Sequence, residues 1–289
     1  MLTLLFDGIA YGMLLFILAV GLSVTMGLMN FINLAHGAFA MAGGYLTVLL
    51  MQRADWPFLL CLPVAFAATA LLGALAERTL YRPMYRKPHL DQVLFSIGLC
   101  FMSVAAVDYA LGSQQQIMQL PEWLRGRTEW WDGALGVGHY RLFIIVVCAI
   151  LTVALQSVLS RTRFGARLRA SVDDPRVAAG LGIPVNRVFA ITFAVGSGLA
   201  GLGGALGAEV LGLDPTFPLK FMVYFLIVVA VGGTSSITGP LLAALLLGVA
   251  DVAGKYYMPK LGAFIVYSLM MVLLIWRPQG LFTRQGGRS

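Results

Sequence analysis

Two polar runs interrupt long apolar stretches of this chain: Asn30-Phe31-Ile32-Asn33-Leu34-Ala35-His36-Gly37 and Gly232-Gly233-Thr234-Ser235-Ser236-Ile237-Thr238-Gly239-Pro240. Amide, imidazole and hydroxyl groups among small residues can exchange hydrogen bonds with a passing solute without making or breaking a covalent bond. At membrane depth, non-helical backbone survives only where protein or a water-filled cavity satisfies its N–H and C=O groups, so breaks of this kind line pathways in transporters. A turn at the bilayer surface would use the same residue types for its own backbone reasons, and the residues alone leave both readings open. The pathway candidates are Asn30, Asn33, His36, Gly37, Thr234, Ser235, Ser236 and Gly239. Ala19-Val20-Gly21 and Ala230-Val231-Gly232 are faintly alike, a trace compatible with an inverted repeat but too short to establish one.

A second kind of chemistry is suggested by charge. Six arginines (Arg161, Arg163, Arg167, Arg169, Arg176, Arg187) fall between two apolar segments, in a chain of which only 11% is charged. Within that loop Asp174 can cap a helix whose first residue is Pro175, and Gly180 or Gly182 can end it. A helix so short is marginal in water and gains from a docking partner. The bland alternative is a solvated connection whose arginines rest on anionic lipid. Asp108, Glu209 and Asp251 lie within or near the ends of apolar segments, where burial is expensive and a functional role is the default reading. Ion pairs with Lys220, Lys255 or Lys260 would give them a structural role instead.

Bond-making machinery is not in evidence. The only Gly-Lys pair, Gly254-Lys255, is followed by Tyr256 and makes no phosphate loop, and neither H-E-x-x-H nor G-x-S-x-G occurs. Gly196, Gly198, Gly201, Gly203, Gly204 and Gly207 superficially contain a dinucleotide fingerprint, but they lie in an apolar span and suit close helix–helix approach. Cys61, Cys100 and Cys148 sit in separate apolar runs with no metal or disulfide spacing, and no cofactor or metal site is expected.

Stepping outward, 59% hydrophobic residues and a mean hydropathy of +0.85 exclude a soluble globule. The fold expected is all-α, a polytopic transmembrane bundle with broken helices. Apolar segments run near 8–29, 37–51, 57–76, 93–112, 141–160, 188–212, 219–232, 237–254 and 263–276, giving about eight or nine membrane segments in one transmembrane domain, 1–289. The first 52 residues hold no Lys or Arg, which argues for a membrane segment rather than a cleaved signal peptide. Loops 77–92 and 161–187 and the tail 277–289 carry 13 of the 20 basic residues and are placed in the cytoplasm. Loop 113–140, with Trp123, Trp130 and Trp131, is placed on the periplasmic side, and an odd span count puts the N-terminus there too. The net charge of +7 therefore reflects topology rather than nucleic-acid binding.

Taken in order, the motifs resemble the permease subunits of branched-chain amino acid ABC importers, specifically the shorter of two homologous subunits. The resemblance runs through Asn33-Leu34-Ala35-His36-Gly37, Glu77-Arg78-x-x-Tyr81-Arg82-Pro83, Gly165-x-x-x-Arg169-Ala170 and Ala178-x-x-x-Gly182-Ile183. It continues through Leu199-Ala200-Gly201-x-x-Gly204 and Gly232-Gly233-x-x-Ser236-x-x-Gly239-Pro240 to Arg277-Pro278-x-Gly280-Leu281. It implies a multi-pass protein of the bacterial inner membrane that does no bond chemistry itself. The implied partners are a second homologous permease, two cytoplasmic ATP-binding subunits, a periplasmic substrate-binding protein and membrane lipid. Residues 170–183 would form the coupling helix, with Arg169, Ala170, Asp174, Arg176, Ala178, Ala179 and Gly182 as its ATPase contacts. The Glu-Ala-Ala…Gly signature of other ABC importers is represented only by Val177-Ala178-Ala179 and a Gly182 one residue early, so that role rests on loop position and family pattern. The expected cargo is a branched-chain or other hydrophobic amino acid. The rivals are a permease for amides, urea or another small polar solute, and an ion-coupled secondary transporter using Asp108, Glu209 or Asp251.

Overall fold

The computed structural model describes residues 1–29, 31, 33–130, 135–233 and 236–276. The described residues form eleven α-helices and one short hairpin. In chain order the helices are α1 (Leu2–Met29), α2 (His36–Ala54), α3 (Phe58–Ala76), α4 (His89–Leu111), α5 (His139–Arg161), α6 (Arg163–Asp173), α7 (Pro175–Gly180), α8 (Val185–Leu211), α9 (Phe217–Gly232), α10 (Thr238–Tyr257) and α11 (Gly262–Trp276). Every apolar segment drawn from the sequence falls on one of these helices. Six helical segments, α1, α3 with its continuation to Tyr85, α4, α5, α8 and α10, are long and apolar enough to cross a membrane, while α9 and residues Phe264–Trp276 are apolar but shorter.

Length and composition explain the layering. Helix α1 carries no charge after Asp7 and is apolar all round, so it can be buried on every side. Leu14 through Val20 are indeed fully enclosed, and α1 packs on α5, α8, α9 and α10. The glycines read as packing residues perform that task. Gly43 of α2 lies on the backbone of Gly201 in α8, Gly204 lies on Ala40, and Gly248 of α10 lies on Gly12 of α1. With no side chain between them, these helices meet backbone to backbone, the small-residue packing that holds helices together where lipid removes the usual hydrophobic drive. In contrast α4 and α5 leave most of their apolar side chains exposed or only half-buried, Phe101, Met102, Ile150 and Val153 among the exposed, as a lipid-facing or partner-facing layer would.

The connections sort to two ends. At one end a π turn at Glu77–Tyr81 and a 3-10 turn at Arg82–Arg86 lie against residues 179–190, together with α6 and α7. At the other, strands β1 (Arg127–Trp130) and β2 (Leu135–Gly138) pair antiparallel beside the start of α1, where the Gly136 N–H donates to Thr3 Oγ1 at 3.1 Å. The Gln52 side chain at the end of α2 also reaches this second end, donating to the Ile117 carbonyl at 3.1 Å. The two arginine-bearing loops thus share one end of the bundle, and the tryptophan-bearing loop shares the other with the N-terminus.

Candidate functional site

The break ahead of α2 is built by Asn33. Its Oδ1 accepts the Ala35 N–H at 3.1 Å while its carbonyl accepts the His36 N–H at 3.3 Å, an Asx turn that starts the helix. The same Oδ1 accepts the Tyr81 hydroxyl at 3.0 Å, and Nδ2 has no partner among the described residues although Asn33 is fully buried. His36 is buried too, with Nε2 3.0 Å from the Leu18 carbonyl. A carbonyl only accepts, so Nε2 carries the proton. Gly37 completes the group: a Cβ there would come within 2.9 Å of Pro218 Cα. Only glycine lets the first turn of α9 approach so closely. Asn30 lies outside the described residues.

The same local device recurs where α9 begins. Asp214 Oδ1 accepts the Thr216 N–H at 2.9 Å, the Asp214 carbonyl accepts the Phe217 N–H at 3.0 Å, and Lys220 pairs with the free carboxylate oxygen. Burial disfavours the charged carboxylate, but hydrogen bonds from Lys220 and Thr216 outweigh it and hold Asp214 below the ordinary aspartate value. Leu213 is buried on Gly44, and Pro218 in the first turn of α9 lies on Gly37, so the chain runs beside seven residues of α2, about 10 Å, as α9 starts. Residues 214–218 thus start α9 as residues 33–37 start α2, and the two segments alike in sequence have different neighbours, Gly21 lying on Gly196 and Gly232 on Pro240. Asp214 and Lys220 were not among the pathway candidates. The sequence signal was available, an Asn or Asp three residues ahead of a helix start at both places.

The second interruption holds Ser236, whose Oγ accepts the Gly239 N–H at 3.3 Å and the Thr238 hydroxyl at 3.2 Å, capping α10. Gly239 is buried. Thr234 and Ser235 lie outside the described residues. Ser236 lines a cavity of about 290 Å³ with Ser23, Gln156, Ser160, Thr238 and Arg169. One residue read as pathway and one read as ATPase contact thus face the same space.

The arginine-rich connection folds as its residues dictate. Thr162 caps α6 by accepting the Gly165 N–H at 3.3 Å, and Arg169 donates to the Leu159 carbonyl. Asp174 caps α7, accepting from Arg176 N–H at 2.8 Å and Val177 N–H at 3.0 Å, with Pro175 at the first helical position. Gly182, at φ 80°, ends it in a Schellman turn in which the Ile183 N–H returns to the Ala178 carbonyl at 3.0 Å. Ala170 is half-buried, and Arg169, Arg176 and Ala179 are exposed. Ala178, read from the sequence as an ATPase contact, has its side chain turned inward and is only 2% exposed. Val177 and Leu181, 59% and 76% exposed, are the apolar groups that α7 presents outward, and six residues of helix are too few for periodicity to have revealed that face.

A chain of contacts joins α7 to the break at Asn33. Ala179, Ile183 and Arg187 share a cavity of about 650 Å³ with Glu77, Arg78 and Arg82. Glu77 is buried and accepts the Tyr85 hydroxyl at 3.3 Å. Tyr85 meets Phe31 edge-on at 5.6 Å between ring centroids, and the fully buried Tyr81, whose hydroxyl holds Asn33, meets Phe31 at 5.4 Å and Phe193 at 4.7 Å.

Of the three acidic residues, Asp251 is buried, with Lys255 Nζ at 2.6 Å and the Tyr224 hydroxyl donating at 3.2 Å. This is the structural ion pair foreseen as the plain alternative. Lys220 pairs with Asp214, and neither Asp108 nor Glu209 forms an ion pair among the described residues. No group of three or more His, Cys, Asp or Glu able to hold a metal occurs among the described residues.

Apolar helices around a backbone-tight core, two helix starts meeting at a polar break and a basic, capped helix at one end define a membrane permease of the transport kind. Comparison narrows this further: residues 4–275 match the family described as branched-chain amino acid transport system, permease component, and the chain belongs to it. It is 28% identical to the high-affinity branched-chain amino acid transport system permease protein BraD of Pseudomonas aeruginosa, over 97% of this chain and 95% of that one. The LivH permease protein of Escherichia coli is 26% identical over 97% of this chain and 94% of its own. The LivM permease protein of the same organism is 28% identical over 93% of this chain and 68% of its own. No solved structure matches.

Proposed function

We propose that this chain is the shorter permease subunit of an ABC importer that moves branched-chain or similar hydrophobic amino acids across a bacterial inner membrane. The observation that carries the reading is the family match over nearly the whole length, residues 4–275, to permease relatives of similar size. Similarity to both LivH and LivM favours pairing with a longer homologous permease, and two ATP-binding subunits and a periplasmic binding protein complete the assembly. The loops at 77–92 and 161–187 lie in the cytoplasm in this reading, and 113–140 in the periplasm. Hydrolysis then acts through α7, with Val177, Ala179 and Leu181 seated on the ATPase and Arg169 and Arg176 beside them. Asn33, His36 and Gly37, with Ser236 and Gly239, line the route, and Asp214 and Lys220 join them.

Co-expression with neighbouring transporter genes and reconstitution into liposomes tests this. The expected result is co-purification with an ATPase and leucine uptake that requires ATP and is blocked by vanadate. Uptake by this chain alone, driven by an ion gradient, would overturn it.

A further inference from the structure

At the end of the bundle opposite the arginine-rich connection, the first turns of α1 and α5, the last turn of α8 and the β1–β2 hairpin enclose a cavity of about 490 Å³. Five charged side chains line it: Arg125, Arg127 and Arg141, with Asp7 and Glu209. Arg141 pairs with Asp7 through one carboxylate oxygen, while the other, Oδ1, is shielded from solvent and has no hydrogen-bond partner among the described residues. Arg125, Arg127 and Glu209 form no ion pair among the described residues. Directly adjoining is a second cavity of about 70 Å³, which shares Asp7, Arg141 and Val210 with the first. Its remaining walls are apolar apart from Tyr11 and include Leu14, Ile144 and Val252.

We infer that these two cavities form one binding site for a free α-amino acid with a short branched side chain. The chemistry is matched part by part. Arginines without carboxylate partners suit the α-carboxylate, for which guanidinium offers two parallel N–H donors. The unpartnered Asp7 oxygen and Glu209 suit the α-ammonium. The smaller cavity holds about four or five water-sized groups, the bulk of an isobutyl chain and too little for an aromatic ring. Neither cavity alone would recognise such a molecule: the charged one does not distinguish side chains, and the apolar one cannot hold a zwitterion. The site lies apart from the break at Asn33, at the mouth of the bundle, where solute released from outside would first meet the chain. This inference rests on the reading of the chain as an amino-acid permease.

Equilibrium binding of radiolabelled L-leucine to the full chain in lipid nanodiscs tests it, with L-alanine, 4-methylpentanoate and 3-methylbutylamine as competitors. Saturable leucine binding is expected, with L-alanine at least tenfold weaker because three buried methylene-sized groups are lost. The two analogues lacking one charge should compete at least tenfold more weakly than leucine. Glu209→Gln and Arg127→Gln should each weaken leucine binding tenfold or more, whereas Val252→Phe should weaken leucine more than alanine and so collapse their ratio. Should Val252→Phe fail to yield monodisperse protein, Val252→Ala provides the same test in reverse, shifting preference toward L-phenylalanine. Absence of saturable binding, equal competition by the singly charged analogues, or a leucine-to-alanine ratio indifferent to position 252 would overturn the inference. ATP-driven leucine import that persists beside such a result removes this site and leaves the importer reading standing. Failure of both import and binding removes the two together.

Discussion

The hydrogen bond between Tyr81 and Asn33 ties residues 48 positions apart, and its removal separates two terms cleanly. Tyr81→Phe keeps the ring contacts with Phe31, Phe95 and Phe193 and deletes only the hydroxyl. The net loss is about 0.5–1.5 kcal/mol, and nearer the lower figure within a membrane bundle. Asn33→Ala removes the same bond, dissolves the Asx turn that starts α2 and leaves the Tyr81 hydroxyl fully buried without a partner. The stranded hydroxyl costs about 1–3 kcal/mol and the lost hydrogen bond to the Ala35 N–H about 1 kcal/mol, roughly 2–4 kcal/mol together. In the double variant the stranded hydroxyl is gone, so it should be no less stable than Asn33→Ala alone. The measurement is a double-mutant cycle by SDS or thermal unfolding of the purified chain, with ATP-driven uptake by the assembled transporter followed in parallel. Additive losses, or a Tyr81→Phe effect as large as that of Asn33→Ala, would refute the argument that this bond positions the break.

Other outcomes follow from single features. Leu181→Asp should abolish co-purification of the ATPase while leaving unfolding of the isolated chain unchanged, because that side chain projects from α7; Ala178→Leu, aimed inward, should instead destabilise the chain by about 1–3 kcal/mol. Asp214 titrates below the ordinary aspartate value of about 3.9, so its contribution to stability is present above that pH and is lost as the pH falls through the lower folded value. Lys220→Met should flatten that acid limb of the stability profile, read by unfolding between about pH 2 and pH 6. Gly43→Val should prevent stable folding, since its side chain would enter the Gly201 backbone, whereas Gly98→Ala, facing open space, should be neutral or slightly stabilising in thermal unfolding.

Much of the architecture was legible because apolar length and basic loops are local signals. The Asp174 cap, Pro175 and the closing Gly182 could be read directly, since each satisfies backbone groups a few residues away. Helix α2 was drawn as 37–51, stopping short of Gln52 and Arg53, and the small residues within it, Gly37, Gly43 and Gly44, are what let α9 and α8 approach it. What stayed hidden depends on residues distant in sequence: Tyr81 on Asn33, Pro218 on Gly37, and Ser236 facing Arg169 across a cavity. Lys220 was weighed as a partner for the acids within spans, but its nearest carboxylate, six residues earlier, belongs to a turn. The inward aspect of Ala178 is set by the capped geometry of a six-residue helix, which no repeat pattern could reveal.

At the tightest glycine contacts of α1 with α8 and α10, and of α2 with α8, backbone meets backbone with no flexible side chain between them. Backbones in direct touch cannot be compressed, and sliding one past another would drive a Cα into the next residue's Cβ. These four helices therefore behave as a single stiff keel. Whatever stroke the transporter makes must be taken up by hinging at its edges, where the loosely embedded α4, α5 and α11 give way.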